Sequence, residues 1–78
     1  MTLPNVDVVT VNYNHSRYLP GYLSSLRSSA YPIASIIVVD NASTDDSLTI
    51  LRSYPEVTVI SNQRNIGYSA ALNQAMHH

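Results

Sequence analysis

Asp40 closes an apolar run, Ile36-Ile37-Val38-Val39, and opens a polar one, Asn41-Ala42-Ser43-Thr44-Asp45-Asp46-Ser47. A carboxylate there is badly placed for packing and well placed for a ligand. An ionised carboxyl offers only acceptor lone pairs, and beside a buried strand it needs a partner. The reading favours a ligand as that partner. Two other apolar runs end the same way. Val6 to Val11 leads into Asn12, Tyr13, Asn14 and His15, and Val57 to Ile60 leads into Ser61, Asn62, Gln63, Arg64 and Asn65.

Familiar motifs for nucleotide or hydrolytic chemistry are missing. No G-x-G-x-x-G follows the first run, and without lysine there is no G-x-x-x-x-G-K-[ST]. No G-x-S-x-G elbow is present, so Ser43, His15 and Asp40 do not read as a hydrolase triad. No histidine or cysteine spacing matches a metal site.

The elements that must position these clusters follow from the patterning. The three apolar runs are short and rich in valine and isoleucine, as strands are. The middle one is continuous rather than alternating, which fits burial on both faces of a parallel sheet. Leu19, Tyr22, Leu23 and Leu26 form one helical face; Ser16 reads as its cap, and Pro20 is tolerable only in the first turn. Tyr31-Pro32 ends that helix, because the residue before proline avoids helical geometry. A second helix is expected from Ser43 or Thr44, through Leu48 and Leu51, to just before Tyr54-Pro55. A third is expected from Tyr68, with Ala71, Leu72, Ala75 and Met76 on one side.

The resulting β-α-β-α-β-α order implies right-handed crossovers and a parallel sheet. The expected fold is a three-layer half of a doubly wound α/β domain, strand order 3-2-1, with the first strand at an open edge. Ligands of such sheets bind outside the carboxyl ends of the strands, where all three polar clusters converge.

Composition bounds the rest. Seventy-eight residues make one small or partial domain, 1–78, burying only about 60% of its unfolded surface. Charged residues are 12%, against about 25% ordinarily, and eleven serines and seven asparagines supply the polarity instead. Such a surface reads as one to be covered by further chain or a partner. A net charge of −1 with four scattered arginines argues against nucleic acid. No run approaches the roughly 20 apolar residues of a membrane span, and no signal peptide precedes Val6. The absence of cysteine suits a reducing, cytoplasmic setting.

VNYNHSRYLPGYLSSL, VVDNASTDDS and NIGYSAALN, in this order and spacing, resemble the amino-terminal half of family 2 glycosyltransferases, which have the GT-A fold. The resemblance runs from Val6 to about Met76. Its N-x-G-Y-x-x-A-x-N form is similar to the branch containing bacterial rhamnosyltransferases and galactofuranosyltransferases. It implies a UDP- or dTDP-sugar donor at the strand tips. On that footing Asp40 accepts a hydrogen bond from the imide N–H of the base, and Val11 and Tyr13 touch the base. Arg64 pairs with phosphate, and Asn65 and Gly67 shape the turn before the third helix. The resemblance also implies that the Mg²⁺ or Mn²⁺ motif and the general base of the complete enzyme come later than His78. This chain then has no catalytic residue and no metal or cofactor of its own, and the full-length protein is expected in the cytoplasm, at the inner face of the membrane.

Each residue has a plainer reading. Asp45 and Asp46 suit a helix first turn, and Ser43 with Asp46 has capping-box spacing. Tyr13 reads equally as a packing aromatic, Arg64 as a solvated arginine, and Gly67 as a turn glycine. His15 reads as an exposed loop residue, and Tyr18, Tyr22, Tyr31 and Tyr54 as packing residues. Two rivals remain: a self-associating α/β module joined through the open first strand, and another nucleotide binder such as a nucleotidyltransferase.

Overall fold

The valine- and isoleucine-rich runs pair as parallel strands in a computed structural model that describes residues 5–78. Nearly all of the segment before Val6, where a signal peptide was sought, lies outside those residues. The elements are β1 (Val6–Asn12), α1 (Leu19–Arg27), β2 (Ile33–Asp40), α2 (Ser47–Arg52), β3 (Val57–Ser61) and α3 (Tyr68–Met76). The sheet order is β1-β2-β3, as expected, with β2 in the centre and β1 paired on one side only.

The central strand feeds two cores. Side chains alternate along a strand, so even and odd positions face opposite ways. Ile36 and Val38 pack with Leu19, Leu23 and Leu51 beneath α1 and α2. Val39 packs with Ala71 and Ala75 beneath α3. This is the three-layer arrangement that the continuous apolar run implied. Burying Val38 and Val39 completely contributes about 1.5–3 kcal/mol each.

Several local expectations need correction. Ser16 does not cap α1: the capping position is Tyr18, which makes no side-chain cap, and its N–H donates to the His15 carbonyl at 2.9 Å. The helix ends at Arg27, well before Tyr31-Pro32. Ser29 explains this, since its N–H returns to the Leu26 carbonyl while its hydroxyl accepts from the Tyr31 N–H. Helix α2 starts at Ser47, not at Ser43 or Thr44, because the side chains that would cap an earlier start are bonded elsewhere. Met76 is 69% exposed, and only the small residues Ala71 and Ala75 of α3 are fully buried. Tyr18 and Tyr31 are exposed rather than packed. Tyr54 packs on the core and lies under the Arg27 guanidinium, 4.5 Å from the ring centre. Tyr22 reaches Thr10, hydroxyl to hydroxyl, at 2.6 Å.

Candidate functional site

The strand register lines up the three polar tips. Asn12 lies opposite Asp40, and Asp40 opposite Ser61. Alternation then sends Asp40 to the α1/α2 face and its neighbour Asn41 to the α3 face.

Asp40 is 0% exposed, and each of its carboxylate oxygens has a partner within the chain. Its Oδ1 accepts from Asn12 Nδ2 at 2.8 Å and from the Ser43 hydroxyl at 2.7 Å. Its Oδ2 accepts from the Ser43 N–H at 3.0 Å. The partner that a carboxylate needs there is thus available without any ligand. Ser43 carries the bonding onward, since its Oγ also accepts from the Asn14 N–H at 2.9 Å. Asn14 in turn accepts from the Thr44 N–H at 2.7 Å. Asn14 and Ala42 both hold positive φ, 55° and 66°. Asparagine tolerates that conformation; alanine is strained in it.

Asp45 completes the join between the first two loops. It accepts from the Ser16 N–H at 3.0 Å and the Ser47 N–H at 2.9 Å. Hydrogen bonding from Ser47, then from Ser16, holds its carboxyl well below the usual carboxylate range. Ser47 Oγ is buried without a hydrogen-bond partner, so the Ser47 donor is its backbone N–H. Asp45 therefore precedes α2, where it both ties the first loop and accepts from the first N–H of the helix. Asp46 occupies the capping position but makes no side-chain cap, so the Ser43–Asp46 capping box does not form.

On the other face, Asn41 joins the second and third loops. Its Nδ2 donates to the Gly67 carbonyl at 3.2 Å, and its Oδ1 accepts from the Ile66 N–H at 3.1 Å and Asn62 Nδ2 at 3.3 Å. Asn62 and Gln74 exchange two amide bonds of 2.9 and 2.8 Å, fastening the loop to α3. Asn65 Oδ1 accepts from the Gly67 N–H at 2.8 Å, and Gly67 takes φ +86° to open α3. A φ in that range is natural only to glycine.

The other sequence-derived residues flank this network. Val11 is half-buried against the α3-side core. Tyr13 is 45% exposed at the β1 tip. Arg64 is exposed, and among the described residues no carboxylate lies within ion-pair distance of it. An open depression of about 620 Å³ is lined by Ser61, Asn62, Gln63, Arg64 and Ile66. A second, of about 290 Å³, lies beside β1 and includes Val11, Asn12, His15 and Tyr22. The tips thus expose an aromatic ring at one end and a free guanidinium at the other.

Asn12, Asn14, Asn41 and Ser43 hold the site together, although the sequence marks them only as members of its polar clusters and not as site residues. Their only signal was an amide or hydroxyl just beyond each apolar run. Among the described residues no group of three His, Cys, Asp or Glu could hold a metal ion, and the oxygens of Asp40 and Asp45 are already engaged.

An open parallel sheet with helices on both faces and a polar crevice at its strand tips defines half of a doubly wound α/β domain. Residues 7–78 match the model of glycosyl transferase family 2, and the chain belongs to that family. It is 31% identical over 77 residues to the glycosyltransferase TuaG of Bacillus subtilis (strain 168), whose name places it in teichuronic acid biosynthesis; the match covers 94% of this chain and 31% of TuaG. It is also 31% identical over 72 residues to the N-acetylglucosaminyl-diphospho-decaprenol L-rhamnosyltransferase of Mycobacterium tuberculosis (strain ATCC 25618 / H37Rv), covering 91% of this chain and 24% of the relative. An uncharacterized glycosyltransferase of Haemophilus influenzae is 32% identical over 74 residues, covering 90% and 23%. The chain therefore spans between about a quarter and a third of the length of these relatives.

Proposed function

We propose that this chain is the amino-terminal, nucleotide-binding half of an inverting glycosyltransferase using a UDP- or dTDP-sugar. The carrying observation is the alignment of three bonded strand tips, with Tyr13 exposed at one end and Arg64 unpaired at the other. The base lies against Val11 and Tyr13, and stacking of this kind is worth roughly 1–3 kcal/mol. The diphosphate lies toward Arg64, Asn65, Gly67 and the start of α3, whose first N–H groups favour an anion. Asp40 meets the imide N–H through a lone pair of Oδ2. Its burial means that the turn at Ala42–Ser43 must open to admit the base, and strained Ala42 is a natural hinge.

In the complete enzyme an acceptor hydroxyl oxygen attacks the anomeric carbon from the face opposite the diphosphate. The bond to the diphosphate oxygen breaks, the configuration inverts, and nucleoside diphosphate leaves. The hydroxyl proton passes to a general base outside this chain. Mg²⁺ or Mn²⁺ belongs to that complete enzyme and is held by residues other than these. The isolated chain binds nucleotide weakly and does not turn over.

Among the described residues no helix is long and apolar enough to cross a membrane. The absence of cysteine supports a cytoplasmic location, and a place at the inner membrane face belongs to the same proposal. The unpaired side of β1 supports a second reading, self-association through that edge, which sedimentation tests.

The nucleotide reading is tested by titrating the chain with UDP and dTDP and following amide shifts by NMR. Shifts centre on Tyr13 and Arg64, and Tyr13→Ala and Arg64→Gln each weaken binding. Shifts that avoid both residues overturn the reading. Both side chains are exposed, so their removal leaves the buried network in place.

A further inference from the structure

Asp40 and Asn41 are adjacent, buried and polar, and they face opposite sides of the sheet. The Asp40 carboxylate bonds to the tip of β1 and to the second loop, through Asn12 and Ser43, while its backbone carbonyl accepts from the Asn62 N–H at 2.9 Å. The Asn41 side chain bonds only to the third loop, through Asn62, Ile66 and Gly67. The third loop carries Arg64 and the first carries Tyr13. The structure shows no acceptor for the N–H groups of Gln63, Arg64 and Asn65 among the described residues. The Arg64 loop is therefore held by Asn41 beneath it and, at its base, by the Asn62–Gln74 pair and the Asn62 N–H on the Asp40 carbonyl.

We propose that Asn41 is a positioning residue for the phosphate end of the site, clamping the 62–67 loop to the tip of β2 while Asp40 separately clamps the base end. This rests on the nucleotide reading above. The chemistry of the side chain suits the task. The loop presents a carbonyl, an N–H and an amide NH₂ to one spot, and a primary amide, with its NH₂ and carbonyl on separate atoms, both donates and accepts there. A carboxylate at position 41 keeps the acceptor but opposes the Gly67 carbonyl, and alanine loses every bond.

The two ends of the nucleotide then respond independently. A charged hydrogen bond to phosphate corresponds to roughly a tenfold or greater tightening, so UDP should bind that much more tightly than uridine. In Asn41→Ala this ratio falls toward one, while uridine affinity stays within about threefold of the unaltered chain. Arg64→Gln removes the same increment, and the Asn41→Ala/Arg64→Gln double variant loses nothing further, because the two residues act through one step.

The experiment pairs calorimetric titration with uridine and UDP with NMR amide exchange. In the unaltered chain the Ile66 N–H is protected at least tenfold over Gln63 and Arg64, a difference that local opening free energies readily produce. Ile66 exchanging as fast as Gln63 overturns the clamp, and this result needs no variant to fold. Equal loss of uridine and UDP affinity in Asn41→Ala overturns the positioning role, because a general structural defect moves both. If the unaltered chain binds neither ligand, the nucleotide reading and the phosphate role fail together, while Ile66 protection still decides whether Asn41 holds the loop.

Discussion

Replacing Asp40 by asparagine changes a single atom, and the structure states what it should cost. Every group facing the carboxylate is a donor: Asn12 Nδ2, the Ser43 N–H and the Ser43 hydroxyl. The Ser43 proton has no alternative direction, because Ser43 Oγ already accepts from the Asn14 N–H and from Asn12 Nδ2. An asparagine must turn its NH₂ toward either Oδ position. The better choice opposes one donor, the Ser43 N–H; the worse opposes two. One unmet buried donor costs about 1–3 kcal/mol. Asp40→Ala strips the acceptor from all three and leaves a void, so its cost rises to about 3–5 kcal/mol. A chain of this length has a total stability of roughly 4–12 kcal/mol. Urea unfolding with a slope of about 1 kcal/mol per molar then shows the midpoint of Asp40→Asn lowered by about 2 M. Asp40→Ala lowers it further, by about 3–5 M. An Asp40→Asn variant as stable as the unaltered chain would refute the claim that an acceptor-only group is required. The same arithmetic shows why nucleotide binding is best probed at Tyr13 and Arg64: lost binding in Asp40→Ala reports a collapsed network as readily as a lost contact.

Ala42→Gly relieves the left-handed strain at φ 66° and offsets that gain with greater unfolded-state freedom; the net is a stabilisation of about 0.5–1 kcal/mol, read as a rise in Tm of roughly 4 °C, and a fall in Tm contradicts it. Leu51→Ala, at a fully buried position between α2 and the sheet, costs about 2–5 kcal/mol, read as a urea midpoint about 2–5 M lower when unfolding is followed by far-UV circular dichroism; an unchanged midpoint contradicts it. Acid loosens the loops in a defined order of sign. The carboxyls of Asp45 and Glu56 are both lowered on folding, Glu56 to about 2 by its hydrogen bonds from Arg27. Their contribution is complete above the ordinary carboxylate range and is lost as pH falls below it. Tm therefore declines, and the Ser16 and Ser47 amides lose protection, as pH is lowered from about 4.5 toward 2; a Tm that does not change over that interval contradicts the assignment.

The helices and strands were legible where burial alone decided them. The run at Ile36 is apolar because its strand is buried, those at Val6 and Val57 form half-buried edge strands beside it, and parallel order follows from the helix-length crossovers. The start of α2 was harder. Ser43 is an ideal cap by residue type, but cap chemistry is a local preference, and its side chain is bonded to Asn14 and Asp40 instead, while Asp45 serves both the Ser16 N–H and the first N–H of α2. Four of the expected packing positions also differ: Met76, Tyr18, Tyr31 and, partly, Tyr22 reach the surface, because a three-stranded sheet is too narrow to cover every apolar side chain of its helices.

The amino-acid sequence by itself determined the alternation of strands and helices, the convergence of three polar tips and the family to which the chain belongs. Those properties reside in composition, periodicity and spacing along one chain. Only the tertiary structure decided what the VVDNASTDDS stretch does. Strand alternation and register turn Asp40 toward one pair of loops and Asn41 toward another, and Asp45 ties across to Ser16. Hydrogen-bond partners 21 to 29 residues apart carry no mark of each other in sequence, so which polar group finds a partner inside the chain is settled only when the strands are laid side by side.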